Sequence, residues 1–199
     1  MCIIDKVERK INALAIDKIV PFSYINLKGV SKDTIRKNLH RLHDRGIISI
    51  VDRGYFKKIE PYNEFLFVYG SLKKGFDNHR LLEKSTKRLG KASTVAKFGM
   101  YEDSFGNYPF LVKKSITKVT GELYEIKRKE LLDKIDDFEG APDYYQRVKI
   151  KVKTHHGVNH AYTYIIEDAD ISEDQKPLRE WQNDMDYKVN KLNSFLETM

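Results

Sequence analysis

The sequence has little that would fix a fold by covalent or metal bonds. Cys2 is its one cysteine, so an intramolecular disulfide is impossible, and a reducing compartment, the cytoplasm, is the expected setting. Cys2 sits at a terminus with no activating neighbourhood, which argues against a nucleophile. No apolar run approaches the roughly 20 residues of a membrane span. The longest compact run, Phe65–Tyr69, reads as a strand. Met1–Asp5 has no basic segment followed by a long apolar one, so no secretory signal is expected. Internal repeats and low-complexity stretches are absent. Asp133, Asp136 and Asp137 read as a solvated helix face, and His155, His156 and His160 as flanking a turn at Gly157–Asn159. Neither set predicts a metal site, and no cofactor is expected.

What the chain does have is core material and an uneven charge. Hydrophobic residues make up 41% and aromatics 12%, enough for a packed interior and too much for wholesale disorder. The net charge is +7, but residues 1–60 hold 13 Lys and Arg against 7 Asp and Glu. Residues 61–199 hold 23 against 22. A polyanion is the partner that such asymmetry suggests for the first part. Lys57–Asn63 separates the two regimes, and Pro61 and Asn63 break regular structure there. Two domains are expected, 1–60 and 61–199.

In the first part Ile4, Val7, Ile11 and Leu14 fall at helical spacing. Pro21 ends what precedes it, and Ser23–Leu27 has room for a short helix. Ser31 is a natural N-cap for a helix whose Ile35, Leu39 and Leu42 face inward and which Gly46 stops. Ile47–Val51 and Tyr55–Phe56 read as strands joined by a turn at Asp52–Gly54. Lys32, Arg36, Lys37, His40 and Arg41 lie off the apolar stripe. The stretch Val30–Ile48, continuing to Arg53–Phe56, resembles the winged helix-turn-helix of antitoxin-like transcription regulators over residues 1–58. The resemblance implies DNA binding: Lys32, Arg36, Lys37 and Arg41 would enter a major groove, and Arg53 at the wing tip would meet a neighbouring backbone or minor groove. Because such regulators often pair, it is also compatible with a homodimer. Protein contacts, or a plain solvated face, are the other readings, since Asp33 and Asp44 dilute the positive side.

The second part changes period. Strand patterns at Phe65–Val68, Ser93–Tyr101, Lys118–Ile126, Tyr145–Lys153 and His160–Glu167 are interrupted by helices near Asn78–Glu83 and over Arg128–Asp137. Trp181, Met185, Val189, Leu192 and Leu196 suggest a closing helix. Without a βαβ rhythm, this argues α+β with a mainly antiparallel β-barrel or sheet and flanking helices. After the first strand, Gly70 permits a sharp turn, and the amides of Gly70, Ser71 and Leu72 can form a concave donor set for a carboxylate or an oxyanion.

Phe67–Gly75 with Asn78, Gly99–Tyr101, Tyr108-Pro109, Gly121–Glu125, Leu131–Gly140 and Tyr145–Arg147 occur in one order. That ordered set resembles the γ-glutamylcyclotransferase-like family, including the γ-glutamylamine cyclotransferases, from Phe65 to Glu167. The resemblance implies a γ-glutamyl-amide substrate, with 5-oxoproline and a free amine as products. It implies Glu139 as the catalytic carboxylate, in the Asp-x-x-Glu-Gly type of segment, and Tyr69, Gly70, Ser71, Leu72 and Tyr145 as substrate-binding. Arg147 reads as a structural partner for a nearby acid. Two functions stay open: a cyclotransferase with an added DNA-binding module, or a DNA-binding regulator or antitoxin-like protein whose pocket senses a small molecule without turnover.

Overall fold

A computed structural model describes residues 1–83, 85–103 and 107–182. The chain divides into two compact units. The first comprises residues 1–63, a segment ending at Thr86, and Ile126–Leu132; the second holds the rest.

In the first unit helix α1 (Ile3–Asn12) is followed by strand β1 (Ile19–Pro21) and a single 3-10 turn, Phe22–Tyr24. Helix α2 (Lys32–Asp44) and the hairpin β2 (Ile48–Asp52) and β3 (Tyr55–Lys58) complete the order. The three strands form one sheet, β1-β3-β2. Val7 and Ile11 of α1, Ile35, Leu39 and Leu42 of α2, and Phe56 of β3 meet in one buried cluster. Ser31 caps α2 as its sequence predicts: its Oγ accepts from the Thr34 amide at 3.1 Å. The expected helix over Ser23–Leu27 is instead the 3-10 turn, because Pro21 and Ile25 on either side are extended. β1 was not legible. It is a three-residue edge strand, and Pro21, having no N–H to give, is tolerated there. At the end of α2, Gly46 (φ 70°) takes a left-handed conformation. A Cβ at Gly46 would collide with the Lys127 carbonyl of the same unit.

Apart from Thr86, Ile126 and Lys129–Leu132, which group with the first unit, the second unit carries β4 (Glu64–Val68), β5 (Thr86–Thr94), β6 (Phe98–Glu102), β7 (Pro109–Thr117), β8 (Thr120–Ile126), helix α3 (Lys129–Glu139), β9 (Gln146–Thr154) and β10 (Gly157–Ile165). It is an α+β arrangement in which strands dominate. Five strands follow one another around a closed ring, β10-β4-β8-β5-β9, and β6-β7 form a separate antiparallel pair. The β9–β10 and β5–β9 pairings are antiparallel, whereas β4 meets β10 in parallel. Phe67, Met100, Leu111, Leu123, Val152 and Ile165 are among the buried residues of its core.

Several expectations shift here. Ser93–Tyr101 is two strands, broken at Val95–Lys97. β7 has no counterpart in the sequence pattern: it opens with four buried residues and closes with exposed ones, so it shows neither alternation nor one long apolar run. The helix expected near Asn78–Glu83 is a 3-10 turn, Asp77–Leu81. The turn between β9 and β10 is His155-His156, not Gly157–Asn159, since Gly157 already pairs with Thr154. Their rings lie 3.7 Å apart, centroid to centroid. Most of the expected closing helix lies outside the described residues. Trp181 itself is buried, its ring stacked on Phe76 at 5.0 Å.

Candidate active site

The candidate site forms where the loop after β4 faces the end of α3. Phe67 and Val68 are buried in the core, so the chain leaves β4 from a fixed position. Gly121 lets the neighbouring β8 come close: a Cβ there would strike the Val68 carbonyl and the Phe67 ring. Gly70 packs against Pro109, where a Cβ would lie 3.1 Å from the proline Cγ. The turn is closed by a bond from the Lys73 amide to the Gly70 carbonyl at 3.0 Å. Asn78 Nδ2 donates to Ser71 Oγ at 3.0 Å and pins that hydroxyl.

A second anchor holds the loop from behind. Glu122 is 8% exposed. It accepts from the Lys74 amide at 2.8 Å, from Tyr124 Oη at 2.6 Å and from Arg88 Nη2 at 2.5 Å. Burial alone would raise the Glu122 pKa, but these donors outweigh it and hold the carboxyl below its ordinary value. Lys73, buried beside them, donates to the Trp181 carbonyl, and burial lowers its pKa. Neither Glu122 nor Lys73 is singled out by the sequence; both sit inside matched motifs as unremarkable charged residues.

The opposite wall is α3. Sequence places Glu139 just after a helix, whereas in the structure it is the last residue of α3. Gly140 follows at φ 63°, and the Ala141 amide returns to the Asp136 carbonyl at 2.9 Å. The helix therefore stops at a defined point, with Glu139 lining the cavity.

Between these walls lies a cavity of ≈ 360 Å³. Tyr69, Gly70, Ser71, Leu72, Tyr145 and Glu139 all line it. Tyr108, Pro109, Tyr144 and Tyr164 complete much of the rest. Tyr108 and Pro109 stand in a matched motif, whereas Tyr144 and Tyr164 carry no signal that separates them from core aromatics. Tyr69 supplies its ring, since its hydroxyl is spent on the Tyr164 carbonyl at 2.8 Å. Tyr164 Oη donates to Asp136 at 2.8 Å, and Asp136 pairs with Arg147 at 2.7 Å. That pair gives Arg147 a structural role and takes Asp136 out of a plain solvated face.

The electrostatics single out one group. Burial pushes the Glu139 carboxyl from 4.5 up to about 7. Burial also raises Tyr69, Tyr145 and Tyr164 above the ordinary phenol value, so they stay neutral near pH 7. Among the described lining residues, Glu139 is thus the group that exchanges a proton near neutrality. No group of three or more His, Cys, Asp or Glu among the described residues is placed to hold a metal ion.

The residues proposed for DNA are arranged differently. Lys32, Arg36, Lys37 and Arg41 are exposed along α2, and Arg53 is exposed at the β2–β3 turn. No helix among the described residues is long and apolar enough to cross a membrane.

Residues 66–183 match the family described as gamma-glutamyl cyclotransferase, AIG2-like, and the chain belongs to that family. A Methanocaldococcus jannaschii protein, provisionally named a gamma-glutamylcyclotransferase, is 43% identical over 90 residues, covering 45% of this chain and 72% of that one. The rat gamma-glutamylaminecyclotransferase is 35% identical over 94 residues, 44% of this chain and 62% of its own length. The crystal structure of a mouse AIG2-like protein superposes with a TM-score of 0.54 at 25% identity, over 61% of this chain and 89% of that one. The family match begins at residue 66, beyond the basic first part of the chain.

Proposed function

We propose that the chain is a γ-glutamyl-amide cyclotransferase, releasing 5-oxoproline and a free amine. The observation that carries this is Glu139, a half-buried carboxyl with a pKa of about 7 facing the Gly70–Leu72 loop across one cavity. The substrate's α-ammonium gives a proton to the Glu139 carboxylate. The freed amine attacks the γ-carbonyl carbon of the same glutamyl group, forming the ring bond. The amide C–N bond then breaks as Glu139 returns the proton to the departing nitrogen, and the second proton of the ring nitrogen passes to the same amine, which leaves as an ammonium while the ring nitrogen keeps the single N–H of the lactam. Atoms balance without water, and Glu139 ends in its starting state. The Gly70, Ser71 and Leu72 amides hold a carboxylate or the developing oxyanion. Tyr69 and Tyr145 pack the glutamyl chain into the folded geometry that ring closure needs. The rat relative's name, a cyclotransferase for γ-glutamylamines, agrees with this reading.

The test is release of 5-oxoproline from a panel of γ-glutamyl amides. Turnover by the native chain and its loss in Glu139→Gln support the reading. A Glu139→Gln chain that keeps the native rate sinks it.

A second reading concerns the first unit. The exposed cations of α2, with Arg53 on the hairpin, support a winged helix-turn-helix that binds DNA, with or without turnover in the pocket. Fluorescence anisotropy with duplex DNA checks it. Salt-sensitive binding lost in Arg36→Glu/Arg41→Glu is expected, and binding that ignores both salt and the substitutions rules it out.

A further inference from the structure

Two consecutive peptide units of the loop after β4 are held at both ends. In the Leu72–Lys73 unit the amide donates to the Gly70 carbonyl at 3.0 Å, and the carbonyl accepts from His79 Nδ1 at 3.1 Å. In the Lys73–Lys74 unit the amide donates to Glu122 Oε2 at 2.8 Å, and the carbonyl accepts from the Phe76 amide at 3.2 Å. A peptide unit is planar, so a partner at each end fixes its orientation. The Ser71 and Leu72 amides are different. Neither makes a hydrogen bond among the described residues, and both residues line the Glu139 cavity.

A carbonyl oxygen can only accept, so it is His79 that donates, and its Nδ1 carries the proton. The imidazole is set for that bond from two sides. Its backbone belongs to the 3-10 turn Asp77–Leu81, where the His79 amide donates to the Phe76 carbonyl at 3.1 Å and the Leu82 amide to the His79 carbonyl at 2.8 Å. The half-buried residue has its ring against Tyr124, with centroids 5.7 Å apart. Tyr124 is also the phenol that donates to Glu122, so the supports of the two held peptide units are themselves in contact. Asn78 and His79 divide the loop between them. Asn78 lines the cavity and holds the Ser71 hydroxyl, whereas His79 is not among the described lining residues and holds the Leu72 backbone.

We infer, on the basis of the cyclotransferase reading, that His79 is a positioning residue: by fixing the Leu72 carbonyl it keeps the Ser71 and Leu72 amides directed toward the cavity, where they meet the glutamyl group and its cyclised product. The Ser71–Leu72 peptide unit carries a donor for the ligand and lies next to a unit that His79 holds. Releasing the Leu72 carbonyl frees that neighbour to turn, and the Leu72 amide loses its aim. Donors aimed before the substrate arrives need no reorganisation as charge develops on it. His79 takes no part in the proton transfer and acts through the loop alone.

His79→Ala removes the donor. His79→Asn returns it, because asparagine Nδ2 falls where the imidazole carries Nδ1. In calorimetric titration 5-oxoproline is expected to bind His79→Ala on the order of tenfold more weakly than the native chain, with unchanged stoichiometry, and kcat/KM for a γ-glutamyl amide should fall by a similar factor. His79→Asn should recover most of both. Partial unfolding would lower the stoichiometry and leave the Kd of the folded fraction alone, so a purely structural role does not produce this result. A native Kd in His79→Ala, or an Asn variant no better than the Ala variant, overturns the inference. If His79→Ala does not fold, His79→Gln, whose amide lies one bond further out, takes its place in the same comparison. If the native chain neither turns over an amide nor binds 5-oxoproline, the cyclotransferase reading falls by itself. Amide hydrogen exchange then decides the role of His79: Lys73 exchange on the order of tenfold faster in the variant supports it, and unchanged exchange overturns it.

Discussion

The two ends of this chain hold their polar residues in opposite ways. In the second unit a half-buried carboxyl is set among neutral phenols and left with a pKa of about 7. In the first unit Lys32, Arg36, Lys37, Arg41 and Arg53 stand in solvent over an ordinary apolar core. Proton transfer needs the first arrangement, because desolvation is what brings a carboxyl into range of neutral pH. Recognition of a polyanion needs only the second, because phosphates meet exposed cations without burial. A buried, perturbed group is therefore informative by itself, whereas an exposed basic face acquires meaning only from the partner that it meets.

The sharpest way to break this contrast is to remove the carboxylate. Glu139→Gln should lower 5-oxoproline release on the order of a thousandfold with the circular dichroism spectrum unchanged. A much smaller loss would make Glu139 as dispensable as an exposed charge. Next in size is the packing that places it. Gly121→Ala forces a methyl into the Val68 carbonyl and the Phe67 ring and should cost about 3 kcal/mol in urea denaturation. Gly54→Ala, in open space at the β2–β3 turn, should cost about 1 kcal/mol through its positive φ alone.

Burial of Glu139 also has a pH signature. Its folded pKa of about 7 lies above its ordinary 4.5, so the folded chain holds the proton more tightly than the unfolded one. Below pH 4.5 both states carry the proton and nothing is lost. As pH rises from 4.5 through 7 the unfolded chain ionises first, and stability falls by a total of about 3 kcal/mol at most. Denaturation midpoints at pH 5 and pH 8.5 should show this decline in the native chain, and its absence in Glu139→Gln. The variant should then be the more stable of the two at pH 8.5 while lacking activity. A smaller effect belongs to the first unit: Ser31→Ala should cost about 1 kcal/mol by removing the cap of α2, with cyclisation unaffected.

How much of this was legible in the sequence follows the same contrast. Caps and stripes are local, so Ser31, Gly46 and the Ile35/Leu39/Leu42 face could be read directly. The loop Tyr69–Leu72 and Glu139 could be read because several short motifs stand in a fixed order, though 67 positions separate the loop's end from the carboxyl. What could not be read depends on partners distant in the chain. β1 exists through its pairing with β3, and β7 through its pairing with β6. Glu122 gains its role from Arg88 and Lys74. Tyr144 and Tyr164 face the cavity because of where α3 ends and β10 runs, which no periodicity encodes.

The contact between Gly46 and the Lys127 carbonyl bears on how such a chain could be cut or recombined. Sequence composition invites division near residue 60, yet Ile126–Leu132, which includes the first turn of α3, packs with the first unit. A chain begun at residue 61 would leave Ile126–Leu132 without the residues that it groups with. The basic module is thus not confined to the residues before 61, because Ile126–Leu132 groups with it. Grafting it onto another member of the family would require carrying over the residue that meets Gly46 as well as the module itself.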